Sequence, residues 1–346
     1  RKSDASNSVK AYRTAWKQFF RWAQTAPWDI TPRQAQQWAA WLSHQGKLLP
    51  DGERVPLAKK SVNLKLAALA SFDHYVHNNT DLWSPDQRNP FVAVERYKIS
   101  PYDSARFPSD EEAQAILAAI NRNNLPGKRD YALLYTFLVT CRRSSEILNL
   151  KWGDLQPSNS QPGNWVFEYR YKGGAIKKAV LDEHCYHAIC EYLAAADRLE
   201  TITDDEYVFG RVKQVDHLNN VTSDVGRPLS NGMANKLLKK YARRAGVDEQ
   251  KAHLHGLRHA GARRHVWQMK RQGAIDYDEI KDLLGHGNLA ITQIYIQRVL
   301  DDPTSSTARP VAEFFRGGNG SASHFTTKEA ARDKTPISEE SDGPAG

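Results

Sequence analysis

The chain has 346 residues, 40% of them hydrophobic and 25% charged, with a formal net charge of +8. That is ample for two domains with real cores, while no apolar run approaches the roughly 18 residues of a membrane span and no signal-peptide pattern opens the chain. Cys141, Cys185 and Cys190 form no paired framework and no zinc spacing, which argues against a disulfide scaffold or metal centre; the positive balance suits a polyanionic partner.

Residues 6–25 carry Val9, Tyr12, Trp16, Phe19, Phe20 and Ala23 at helical spacing, predicting an amphipathic helix ended by Pro27. Thr31-Pro32 reads as the N-cap and first position of a second helix reaching about His44. Pro50-Asp51-Gly52 and Pro56 place a loop over 47–56. A third helix, from about Ala58 to His77, buries Val62, Leu66, Leu69, Phe72 and Val76 and carries Lys59, Lys60, Asn63 and Lys65 in its first turns. An all-helical domain over 1–95 follows, and its basic faces are candidates for phosphate contacts, although ordinary solvated faces carry lysines as well.

Asn89-Pro90 and the basic 96–107 segment mark a linker. Ser109 with Glu112 forms a capping box, and the helix from Lys128 to about Thr140 is apolar nearly all round, hence buried. The period changes over 163–182, where two β-rich runs flank Gly173-Gly174 in a hairpin with Lys172 at its bend. A helix resumes at 183–197, and 200–227 is polar and loop-rich. Ser230 caps a basic helix over 231–245 with Asn235, Lys236, Lys239, Lys240 and Arg243, stopped by Gly246. A short apolar patch, Val311 to Phe315, precedes a tail from about 319 with almost no apolar residues, expected to be disordered.

Certain residue pairs carry chemistry. Arg143 and Glu146 lie three apart on one helical face, which selects Arg143 over its neighbour Arg142. His255 and Arg258 stand one turn apart; His253 and His259 lack an arginine at that spacing. His286 and Tyr295 are nine residues apart, but Gly285, Gly287 and Asn288 break the helix between them. Each pair alone is commonplace. Together they hold what phosphoryl transfer to a protein hydroxyl requires: a nucleophile, a proton acceptor, an arginine clamp for the non-bridging oxygens and an acid for the leaving group. Lys172 is a candidate acid, with Lys177 and Lys178 as competitors.

In this order the residues resemble the tyrosine recombinases, the integrase family that includes Xer-, Cre- and lambda-type enzymes. Thr140 to Leu150 matches the family's T-G-x-R-x-S-E-L-x-x-L box, His255 to His259 its H-x-L-R-H, and Leu284 to Tyr295 is close to L-G-H…T-x-x-Y. Cys141 stands where the family usually has Gly, and Gly256 where an acidic residue is frequent. The resemblance implies a mainly α fold with a small β-hairpin or sheet, built as a two-domain, C-shaped DNA clamp. Its parts would be a helical (SAM-like) core-binding domain over 1–95, a linker over 96–107 and a catalytic domain over 108–300. A segment over 301–318 would dock on a neighbouring subunit or fold back in cis, ahead of the tail 319–346. A front domain starting almost at residue 1 leaves little room for the arm-binding domain of lambda-type integrases.

By the same resemblance Tyr295 attacks the scissile phosphate, giving a 3′-phosphotyrosine and a free 5′-hydroxyl. Arg143 and Arg258 hold the non-bridging oxygens with His286 assisting, His255 takes the tyrosine proton, Lys172 protonates the leaving oxygen and Glu146 supports the site. The implied activity is site-specific recombination through a Holliday junction, with no cofactor, metal or ATP. The implied partners are double-stranded DNA with inverted-repeat core sites and three further copies in a tetramer, in a prokaryotic or phage-derived, nucleoid-associated cytoplasmic setting. Alternatives are a catalytically silent DNA-binding relative and a type IB topoisomerase-like relaxing enzyme.

Overall fold

The computed structural model describes residues 6–81, 88–99, 102, 106–160, 162–170, 175–214 and 221–301. The chain divides into two compact units, Arg1–Ala105 and Arg106–Gly346.

The first unit holds α1 (Ser6–Ala23), α2 (Pro32–Gln45) and α3 (Lys59–Asn79). Thr31 and Gln34 close a reciprocal capping box at the start of α2, with Pro32 at the first helical position, where its missing N–H costs nothing. Phe19 is the hub of the core: the rings of Trp38 and Phe91 meet it edge-on with centroids 5.0 and 5.2 Å away. Phe91 and Val94 thus fold into this core although the Asn89-Pro90 turn precedes them. The expected loop over 47–56 contains a short antiparallel hairpin, β1 (Lys47–Leu48) and β2 (Arg54–Val55), turning at Gly52 with φ +90°. Two-residue strands are too short for a periodic signal.

The second unit is helical around a small sheet. It comprises α4 (Asp110–Ala118), α5 (Leu125–Thr140), α6 (Ser144–Leu148), β3 (Leu155–Pro157), β4 (Trp165–Arg170), β5 (Ile176–Leu181), α7 (Glu183–Ala195), β6 (Gly210–Gln214), β7 (Val221–Pro228), α8 (Asn231–Arg244), α9 (Leu254–Arg271), α10 (Tyr277–Leu283) and α11 (Leu289–Asp301). β3, β4 and β5 form one antiparallel sheet in that order, so the expected hairpin gains a third strand. β6 and β7 pair antiparallel within the stretch read as polar loop, where charged and turn-forming residues hide strand periodicity.

The core of this unit is α5, flanked by α7 and α9. Asp130 is fully buried; it pairs with Arg129 at 2.6 Å and accepts the Tyr241 hydroxyl at 2.7 Å, tying α5 to α8. Gly261 sits where α9 crosses α5. A Cβ there would lie 2.0 Å from the Leu138 carbonyl oxygen and 2.7 Å from the Cys141 sulfur, so only glycine permits this approach. No helix among the described residues is long and apolar enough to cross a membrane. Residues 302–346, with the Val311 to Phe315 patch and the tail, lie outside the described residues.

Candidate active site

The chain leaves α5 through Cys141, whose backbone is left-handed (φ 52°, ψ 27°). This conformation favours glycine and costs other residues roughly 1–2 kcal/mol. Cys141 is buried and adopts it nonetheless, and burial pushes its thiol pKa up to about 12. The turn delivers Arg143 to the N-cap of α6. Glu146, one turn on, accepts both the Arg143 backbone N–H at 2.8 Å and its guanidinium at 3.1 Å.

α9 brings Arg258 to the same place. His253 caps this helix, its Nδ1 accepting the Gly256 N–H at 2.8 Å. That cap explains the glycine: a Cβ on Gly256 would lie 2.6 Å from the Lys251 carbonyl oxygen and 3.2 Å from the His253 ring. Arg258 is only 5% exposed. Burial first, and the neighbouring Arg143 charge second, lower its pKa.

Both arginines converge on the end of α10. Gly285, with φ 53°, donates to Asp282 O at 3.1 Å and His286 donates its N–H to Lys281 O at 2.9 Å, the pattern of a Schellman cap. The next carbonyls face the arginines: Leu284 O accepts from Arg258 and Gly285 O accepts from Arg143 Nη2 at 2.7 Å. His286 follows directly, its Nδ1 2.9 Å from the hydroxyl of buried Thr292. Burial, then the Arg258 and Arg143 charges, depress the His286 pKa to about 4, so the ring is neutral at pH 7.

Tyr295 enters from α11 and is 2% exposed. Its ring lies 6.4 Å from His286 and 5.5 Å from His259, and its hydroxyl donates to the His259 carbonyl at 3.0 Å. His259 in turn lies 3.0 Å, Nε2 to Nε2, from His255. Burial foremost, then the His255 charge, takes the His259 pKa down to about 3. Arg143, Glu146, His255, Arg258, His286 and Tyr295 therefore form one cluster, while Lys172 lies outside the described residues. Beside Arg143 an open cleft of about 1000 Å³ is rimmed by Lys151 and Arg170.

His259 and Thr292 belong to this cluster although sequence reasoning did not select them. The available signals were the family boxes, in which His259 closes H-x-L-R-H and Thr292 opens T-x-x-Y, and helical spacing, His259 one turn after His255 and Thr292 one turn before Tyr295. The candidate DNA-contact residues divide differently. Lys59, Lys60, Lys236, Lys239 and Lys240 are exposed, and burial lowers the pKa of half-buried Lys65. Asn63 spends its amide on both backbone groups of Tyr97, at 2.8 and 3.0 Å. Asn235 supports the start of α9 by accepting the Leu254 N–H at 3.0 Å, and Arg243 pairs with Glu249 at 2.6 Å.

The phage integrase family model matches residues 106–299. The chain is 30% identical over 237 residues to the tyrosine recombinase XerC of Caldanaerobacter subterraneus, a match covering 67% of this chain and 57% of that relative. It is 26% identical over 297 residues to XerC of Thermodesulfovibrio yellowstonii, covering 85% and 86%. Among solved structures, a post-cleavage complex of the XerH site-specific recombinase with its palindromic difH substrate superposes with TM-score 0.61 at 18% identity, covering 88% of this chain and 80% of that one. A lambda integrase dimer on a core site gives 0.55 at 15% identity, covering 84% and 91%.

Proposed function

This chain belongs to the phage integrase family, and we propose that it is a site-specific DNA recombinase that cuts and rejoins strands through a covalent phosphotyrosine. The observation that carries this reading is the convergence of Arg143 and Arg258 on the consecutive carbonyls Gly285 and Leu284, next to His286 and within one cluster with Tyr295. Two guanidiniums opposed by one carboxylate, Glu146, make a ready receptor for a phosphodiester anion.

In the proposed reaction the Tyr295 hydroxyl oxygen forms a bond to phosphorus as the bond to the 5′ oxygen breaks. The tyrosine proton passes to His255, and Lys172 supplies a proton to the departing oxygen. Arg143, Arg258 and neutral His286 stabilise charge on the non-bridging oxygens, and Glu146 keeps Arg143 oriented. One phosphodiester replaces another, so rejoining is the same step reversed and draws on no nucleotide hydrolysis. The Tyr295 hydroxyl is held by the His259 carbonyl, and attack requires that bond to be exchanged for the phosphate. We read the second unit, where the cluster lies, as the catalytic domain and the helical first unit as the core-binding domain. Lys59, Lys60 and Lys65 and the exposed lysines of α8 contact the DNA backbone. Four copies on two synapsed, inverted-repeat sites then exchange strands by way of a Holliday junction, with the 301–318 segment docking between copies in the cytoplasm of a prokaryotic host.

The test uses a duplex site recovered by binding selection from random DNA. A plasmid carrying two copies should recombine, whereas a supercoiled plasmid without the site should stay supercoiled. Relaxation of the site-less plasmid would favour a topoisomerase, and tight binding without strand exchange would favour a silent DNA-binding protein.

A further inference from the structure

We propose that Arg142, the neighbour of the clamp residue Arg143, is a positioning residue that holds the end of α10 in place so that both clamp arginines stay aimed. The inference rests on the reading of Arg143 and Arg258 as the phosphate clamp.

The last carbonyls of a helix have no partner within it and carry the negative end of its dipole. At α10 three guanidiniums meet them. Arg258 bonds Leu284 O, Arg143 bonds Gly285 O, and Arg142 Nη1 bonds Asp282 O at 3.2 Å. The first two have phosphate oxygens as alternative partners in the proposed reaction. Arg142 is only 8% exposed, and its other bonds run inward. The same Nη1 donates to the Tyr169 hydroxyl on β4, and the guanidinium lies 4.8 Å from the centroid of the Tyr169 ring. Among the described residues Arg142 pairs with no carboxylate within salt-bridge distance. A buried cation so placed is costly unless the carbonyl, phenol and ring contacts offset it. Those contacts join three elements: the end of α5, strand β4 and the end of α10. A second link between the sheet and α10, Lys177 to Asp282 Oδ1 at 3.2 Å, is solvent-exposed at both ends and contributes little.

Removing Arg142 therefore leaves Asp282 O with backbone donors only, the Gly285 N–H among them, and takes away the bond that ties this carbonyl to β4, two residues before the Leu284 acceptor and three before that of Gly285. The Schellman turn and His286 move with it. An error of about 1 Å in such a clamp costs on the order of a hundredfold in rate.

The experiment measures single-turnover covalent adduct formation on the selected site, nicked to trap the intermediate, at saturating protein. Arg142→Met should lower the rate constant by about ten- to a hundredfold while the reacting amplitude stays full and affinity changes by less than about threefold. Arg142→Lys, which keeps the charge but loses the fork, should recover part of the rate, and Tyr169→Phe should show a smaller loss of the same kind. On an Arg258→Lys background, Arg142→Met should cost much less than it does alone, because both act on one phosphate geometry. A reduced amplitude with an unchanged rate constant would reveal a merely structural residue and overturn the inference, as would full multiplicativity with Arg258→Lys. If Arg142→Met does not fold, Arg142→Lys and Tyr169→Phe decide by the same criteria. Should the wild type form no adduct, the recombinase reading itself falls; should it react while the Arg142 and Tyr169 variants keep its rate constant, only this inference does.

Discussion

Two small steric facts decide whether the arginines meet. Cys141 accepts a left-handed backbone to turn the chain into Arg143, and Gly261 lets α9 approach close enough to bring Arg258 alongside. The collision a Gly261→Ala methyl would make is with backbone, the Leu138 carbonyl at 2.0 Å, which cannot swing away as a side chain can. Gly261→Ala should therefore destabilise the protein by more than about 2 kcal/mol in urea unfolding, and a change below about 0.5 kcal/mol would show that the helices separate freely. The candidate residues that cluster here were legible because their pairs recur together in one order, that of the family boxes; the spacing of any one pair is commonplace. Arg142 was passed over because the spacing to Glu146 selected its neighbour, and nothing local signals a bond to a carbonyl 140 residues away. The asparagines Asn63 and Asn235 read as polar surface, yet their amides are spent on backbone groups that only the tertiary fold supplies.

At the level of elements, helix caps were the most readable feature. Thr31, Ser109 and Ser230 each accept a bond from the backbone N–H three residues on, a local rule that needs no tertiary information. The strands were least readable. β3 is three residues long, and β6 and β7 are rich in charge and turn residues, so neither alternation nor apolar runs betray them. Burial of the α9 and α10–α11 histidines beside the clamp arginines has a measurable consequence. The His286 pKa falls from 6.5 to about 4, and that of His259 from 6.5 to about 3. The unfolded chain takes up protons below about pH 6.5 while these folded rings resist, so their contribution is complete above that pH and is lost as pH falls toward 4. Unfolding free energy should accordingly fall between pH 7.5 and about 5, less steeply in His286→Gln. A flat or rising profile would contradict the buried, neutral assignment.

Across the whole molecule, the net charge of +8 becomes informative once it is located. The face of α8 carries Lys236, Lys239 and Lys240 exposed, while Arg243 is bridged to Glu249. Replacing Lys239 and Lys240 by Ala should weaken DNA binding across sequences and make the slope of log affinity against log salt shallower by about one to two. An unchanged slope would remove this helix from the interface. The +8 charge by itself excluded little, and the family boxes placed the candidate residues within the second unit. The most direct test of the account is to trap the protein on its selected, nicked DNA site and map the attached residue by mass spectrometry. The account predicts a 3′-phosphate linkage on the Tyr295 peptide, abolished in Tyr295→Phe while DNA affinity changes by less than about threefold, since the substitution removes one buried hydroxyl and keeps the packed ring. An adduct that survives in Tyr295→Phe, or a linkage to any other residue, would contradict it.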